Sequence, residues 1–206
     1  MENDGWRVET VDLPSVAPEG APRHGMHEDA KVVGAAIGAI DGPVVVVAHS
    51  YGDIPVTEAA CLPNVRRLIY VAAFQLDVGD SLLSAIGGTP PPWWRIEGDI
   101  FRPLTPETVF FNDVTDKPVG ELEAQTYAVA TDQLEAAAWH QVESTYVVCE
   151  NDNAIPVFAQ EAMARRATTV RRLPSGHSPF LSRPADLAGL VAEAATTPRR
   201  SSPASA

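Results

Sequence analysis

The chain has 206 residues, the size of one ordinary domain with room for a small insertion. With 45% hydrophobic and 20% charged residues, it carries enough apolar material for a core. Fifteen basic against 27 acidic residues give a formal charge of −12; that field repels phosphate backbones and anionic lipid, so neither nucleic acid nor a membrane is an expected partner.

In chain order, "WRVETVDLP" (6–14) is a short strand candidate stopped by Pro14. After a Pro/Gly-rich loop, Val32, Val33, Ala36, Ile37 and Ile40 recur at helical spacing, and Asp41-Gly42-Pro43 ends that helix. Four valines (44–47) open a strand, a helix is expected over 51–62, and "RRLIYVAAF" (66–74) is a second buried strand. Pro55 falls in the first turn of that helix, where a missing N–H is tolerated. Strand, helix, strand, helix, strand argues for a mostly parallel sheet covered on both faces.

Residues 75–138 break the rhythm with proline clusters, aromatics and one expected helix at 119–130. A stretch that long reads as an inserted cap, which leaves 1–74 and 139–206 as a discontinuous core. The alternation resumes with strand 144–150, helix 156–167 and strand 168–174, whose adjacent arginines suit a sheet edge. A last helix begins at Pro184, and 196–206 reads as a disordered polar tail. Cys61 and Cys149 have no metal-ligand or disulfide-scaffold spacing and read as buried thiols. The start has neither a basic region nor an apolar leader, and no run is of membrane-spanning length; the expected setting is the cytoplasm.

Chemistry in parallel α/β sheets collects beyond the carboxyl ends of the strands. Ser50 follows the valine strand in "VVVVAHSYGD", Asp152 follows "TYVVC", and His177 follows "TVRRL". Serine, acid, histidine is the chain order of a nucleophile-elbow hydrolase. Each has a plainer reading: Ser50 as a helix N-cap, Asp152 as a turn residue, His177 as a loop histidine. Taken together they describe a hydroxyl nucleophile (Ser50), a base that takes its proton (His177) and a carboxylate that orients the base (Asp152). Glu150 and Asp77 compete for the acid's role, but Asp152 is favoured because Glu150 still belongs to the strand.

"VVVVAHSYGD", "LIYVAAF", "PPWW", "FFNDV", "TYVVCENDNAIP" and "SGHSPFLSRP" together resemble the small α/β-hydrolases of the esterase, plant methylesterase and hydroxynitrile lyase group, nearest its bacterial carboxylesterase-like members. The resemblance runs to about residue 195. It implies an α/β-hydrolase fold with a cap over an acyl pocket, a Ser50–His177–Asp152 triad and no cofactor. The expected activity is cleavage of a carboxylic ester of a small, fairly apolar substrate through an acyl-enzyme. His49, Trp93, Trp94 and Phe110 are expected substrate contacts, with Phe101 and Phe111 as further cap aromatics; at least half of the cap aromatics could instead be cap core. Hydroxynitrile lyases follow their histidine with lysine, and Ser178 here disfavours cyanohydrin cleavage.

Two departures stand out. Asp53 replaces the second elbow glycine, where a carboxylate suits the helix dipole and, if close to His177, weakens the base. The family's opening strand and His-Gly loop, which supply one of two oxyanion donors, have no counterpart here, so the chain reads as N-terminally shortened with the Tyr51 N–H as the other donor. A start assigned too late, a true remnant, and completion of the sheet by another chain are the open explanations. The alternative function is a catalytically weak or inactive ligand-binding protein, and a homo-oligomer is admissible.

Overall fold

The computed structural model describes residues 5–16, 20–118 and 122–197. Its centre is a four-stranded, all-parallel sheet in the order β1-β2-β6-β7, from β1 (Val44–Ser50), β2 (Val65–Ala73), β6 (Ser144–Cys149) and β7 (Thr169–Leu173). Helices cover both faces, as the alternation implied. On one face Leu68 and Tyr70 of β2 and Tyr146 and Val148 of β6 pack against α1 (Met26–Gly38), α2 (Asp53–Ala59) and α6 (Val157–Ala164). On the other, Ile69, Val71, Val147 and Cys149 meet α8 (Pro184–Thr196) through Val191 and Ala194. A strand buried on both sides needs apolar residues at every position, which is why these runs are continuous rather than alternating.

Helix α1 begins at buried Met26, six residues before the Val32 with which the helical spacing of the sequence opens. The Glu28 carboxylate accepts from the Gly25 N–H at 3.0 Å and the Asp132 carboxylate from the Met26 N–H at 2.9 Å, so two first-turn donors are satisfied by side chains. At the other end the Asn64 amide donates to the Ile37 and Ile40 carbonyls.

Between β2 and β6 the chain makes a long excursion. It contains α3 (Leu82–Ala85), α4 (Pro106–Val109), α5 (Ala128–Thr131), a 3₁₀ turn at Ala138–His140 and a small antiparallel sheet of β3 (Trp94–Glu97), β4 (Ile100–Pro103) and β5 (Gln125–Thr126). The helix expected over 119–130 is not formed by its described part: 122–124 are irregular, 125–126 pair with β4, and only α5 is helical; 119–121 lie outside the described residues. A partner strand at Phe101 competes successfully with weak helical periodicity. The final helix, α8, closes the described chain; most of the expected 196–206 tail lies outside it.

Two further expectations are corrected. Residues 6–13 form no strand, and Val8 and Val11 are exposed: β-favouring residues make a strand only where a neighbour supplies a hydrogen-bonding ladder. Cys61 lies beyond the end of α2 and is exposed, not buried. At the sheet margins, β7 is an edge strand as its arginines suggested, with Arg171 paired to Glu193 and Arg172 to Glu161 and Glu150. Strand β1 is the other edge: among the described residues no strand pairs with its outer side, and Val47 is 47% exposed. Among the described residues no helix is long and apolar enough to cross a membrane.

Strand β2 is fastened at its carboxyl end by Tyr146, whose hydroxyl accepts from the Ala73 N–H at 3.1 Å and donates to the Ala73 carbonyl at 2.5 Å. Both backbone groups are buried, so Tyr146→Phe is expected to cost about 1–3 kcal/mol, read as a lower urea midpoint at unchanged m-value.

Candidate active site

At the end of β1 the backbone turns sharply. Ser50 has φ +54, in the left-handed region that a residue with a Cβ rarely enters, and the Gly52 N–H closes the turn on the His49 carbonyl at 2.9 Å. A Cβ at Gly52 would stand 3.2 Å from that same carbonyl oxygen, so glycine is what lets α2 start so close behind the strand. The turn pushes the Ser50 hydroxyl out beyond the sheet, into the wall of a cavity of about 200 Å³.

Three loops meet there. His177 Nε2 lies 3.0 Å from Ser50 Oγ, and His177 Nδ1 lies 2.9 Å from Asp152 Oδ2. Asp152 is fully sheltered, and its carboxylate accepts from four donors: His177 Nδ1, the Ala154 N–H (2.7 Å), the Ile155 N–H (3.0 Å) and Gln160 Nε2 (3.1 Å). An acceptor-only carboxylate fixes the proton on His177 Nδ1 and leaves Nε2 free to accept from the serine hydroxyl. Such a chain can carry a proton away from Ser50 Oγ. The rival acids lie elsewhere, with Glu150 held by Arg172 and Asp77 against His140.

Gln160 escaped the sequence reading. From α6 it accepts the Cys149 N–H and donates to the Cys149 and Ile155 carbonyls as well as to Asp152, which closes the acid's loop on itself. Its signal was there: a lone amide on the buried face of an apolar helix is rarely left without partners.

Of the expected substrate contacts, Trp93, Trp94 and Phe110 line the cavity with Ser50 and Tyr51, as does Phe101. Phe111 is buried and does not. Neither does His49. Its Nε2–H donates to the His177 carbonyl at 2.7 Å, and its ring lies 4.6 Å from the His177 ring and edge-on to Phe180. Part of His49 reaches solvent, yet its crowded ring has its pKa pushed down to about 3, first by burial and then by the His177 imidazole, so it is a neutral donor.

Two further carboxyls sit beside the elbow. Asp29 is buried in α1 and accepts from the Ser15 N–H (2.8 Å), Ser15 Oγ (2.5 Å) and the Tyr51 hydroxyl (2.6 Å). Burial raises its pKa and these bonds oppose the rise, while the same burial raises the Tyr51 phenol. Asp53 makes no hydrogen bond to His177: its Oδ1 accepts the Phe74 N–H at 3.0 Å, and its Oδ2 is buried without a partner. Burial pushes its pKa well up, and the bond from the Phe74 N–H opposes the rise. Among the described residues no group of three or more His, Cys, Asp or Glu side chains could hold a metal ion.

A parallel sheet flanked by helices, with an elbow serine at one strand end facing a histidine and an acid from two later strand ends, defines an α/β-hydrolase type of protein. Residues 2–190 match the model of the alpha/beta hydrolase family, and the chain belongs to that family. It is 30% identical to the alpha/beta hydrolase nvfD of Aspergillus novofumigatus (strain IBT 16806) over 215 residues, 92% of this chain and 86% of that protein. It is 28% identical to the probable hydrolase R7 of a Phoma species (strain ATCC 20986 / MF5453) over 84% of this chain and 80% of that one. Among solved structures it superposes on a pyrethroid hydrolase from Sphingobium faniae JZ-2 with a TM-score of 0.82 at 19% identity, covering 96% of this chain and 89% of that one. Polyneuridine aldehyde esterase gives 0.76 at 17%, covering 93% and 89%.

Asp53 yields a prediction with a definite sign. Its folded pKa lies above the unfolded value of about 4, so its contribution to stability is full below that pH and is lost as pH rises towards the folded pKa. Asp53→Asn lacks this loss. The stability difference between the two proteins, from denaturation at a series of pH values, should shift in favour of the variant between about pH 4 and pH 7.

Proposed function

We propose that this chain is a serine hydrolase that cleaves the carboxylic ester of a small, apolar substrate. The observation that carries the reading is the continuous chain Ser50 Oγ, His177 Nε2, His177 Nδ1, Asp152 Oδ2 beginning in the wall of an apolar cavity. Ser50 Oγ attacks the ester carbonyl carbon while His177 Nε2 takes its proton, and Asp152 stabilises the imidazolium. The Tyr51 N–H, one residue past the nucleophile, donates to the developing oxyanion. As the tetrahedral adduct collapses, His177 returns the proton to the departing alcohol and leaves an acyl-serine. Water activated by His177 then releases the acid and restores the hydroxyl.

Residues 75–138 act as the cap, whose Trp93, Trp94, Phe101 and Phe110 form an aromatic wall for the acyl or alkoxy group. The net charge of −12 favours a neutral small molecule over an anionic ligand, and the two free thiols fit a reducing, cytoplasmic setting. A second reading keeps the pocket for binding and weakens the chemistry. It is favoured by the elbow supplying a single assigned oxyanion donor, since loss of one donor costs on the order of a hundred- to a thousandfold in rate.

Short aryl esters and a fluorophosphonate probe separate the two. Catalysis predicts ester cleavage and covalent labelling at Ser50, with turnover falling roughly ten-thousandfold or more in Ser50→Ala and His177→Ala. Equal rates in wild type and Ser50→Ala would overturn it, and saturable ligand binding without labelling would favour the second reading.

A further inference from the structure

Asp152 and His177 sit on loops of the core, yet the residues on either side of them are tied to the excursion. The Asn112 amide donates to the Asn151 carbonyl at 2.9 Å, and the Asn153 amide donates to the Thr108 carbonyl at 2.9 Å. Those two bonds flank the acid, one residue before it and one after. The base is treated alike. The Gly176 N–H, in the peptide two bonds ahead of His177, donates to Asp113 Oδ2 at 2.6 Å, while Phe110 lies against the imidazole with ring centroids 5.2 Å apart. Residues 108–113 thus reach both loops at once.

The fit at Gly176 is close. A Cβ there would collide with both Asn112 Oδ1 and Asp113 Oδ1, so alanine at 176 would displace those side-chain ends and with them the bond that the Gly176 N–H makes to Asp113. On the core side Asp152 holds Nδ1 of the ring, the His49 imidazole packs on the ring and holds the His177 carbonyl, and the Asn151 N–H holds the Ser175 carbonyl. Fixing the amide of Gly176 and the carbonyl of His177 brackets the backbone rotations that aim the ring. Misplacing a reacting group by about 1 Å can cost roughly a hundredfold in rate.

We propose that Asp113 and Asn112 are positioning residues that set the aim of His177 and Asp152 from the excursion. This rests on the reading of Ser50, His177 and Asp152 as the reacting triad. Neither residue touches Ser50, so their effect is felt through the base and acid. The decisive feature of Asp113 is an oxygen that accepts the Gly176 N–H.

The test is the rate of fluorophosphonate labelling at Ser50, read on folded protein beside the low-field NMR resonance of the His177 Nδ1 proton. Asp113→Ala and Gly176→Ala are expected to slow labelling by about tenfold or more and to broaden or shift that resonance. Asp113→Asn, which retains an acceptor oxygen, should recover most of the rate and the resonance; Asp113→Leu, similar in size without an acceptor, should not. A role confined to stability would change the melting temperature and leave both readouts alone. Labelling of Asp113→Ala at the wild-type rate, or no recovery in Asp113→Asn, overturns the proposal. If Asp113→Ala does not fold, Asn112→Ala is read in the same way: slowed labelling supports the proposal and an unchanged rate overturns it. Absence of labelling in the wild type sinks the hydrolase reading, while the resonance in the Asn and Leu variants still decides whether Asp113 aims the base.

Discussion

The left-handed backbone at Ser50 is the constraint on which the site depends. A non-glycine residue held there costs of order 1–3 kcal/mol and persists only where its surroundings over-determine it. Here strand β1 pairs with β2 along its whole length, α2 starts three residues past the serine, and the Tyr51 ring is tied by its hydroxyl to buried Asp29. Each restraint fixes one side of the elbow. The hydroxyl then has one direction to point, out of the sheet and towards His177.

Three buried carboxyls crowd this small region, and the donors that each receives set them apart. Asp152 accepts from four groups. Asp29 accepts from three, enough to offset much of its burial. Asp53 receives one N–H and leaves an oxygen with none, and burial pushes its pKa well up. Asp53, which stands in place of the second elbow glycine, makes no hydrogen bond to His177, and among these three carboxyls only Asp152 bonds to that ring.

How far the sequence discloses this follows from where each signal resides. Strands β2 and β6 contain apolar runs that state their own burial, β1 and β7 are β-favouring runs at the edges, and Ser50, Asp152 and His177 are legible because each stands at or just past the end of one of these strands. The segment 6–13 misleads for the same reason: its residues favour a strand, but propensity carries no information about a neighbour to pair with. Asn112, Asp113 and Gln160 act through backbone amides and carbonyls of distant loops. Ordinary polar residues in irregular or apolar stretches announce no such target. Cys61 and the 119–130 helix fail on boundaries, since α2 stops at Ala59 and β4 claims Gln125 and Thr126.

The two sheet edges show how unequal the support of the sheet is. Arginines on β7 pair with acids of α6, α8 and the acid's loop, as suits a strand that ends a sheet. The edge at β1 is valine-rich and uncharged, and it ends in Ser50. Its alignment therefore comes from β2 on one side and from the loops above its carboxyl end. The excursion supplies much of that upper support: through Phe110 it walls the cavity and meets the His177 ring, and through Asn112 and Asp113 it holds the loops of acid and base. One irregular segment thus lines the cavity and ties down the loops that carry Asp152 and His177. Changes there should alter selectivity and rate together, whereas substitutions on the α8 face of the sheet should alter stability alone.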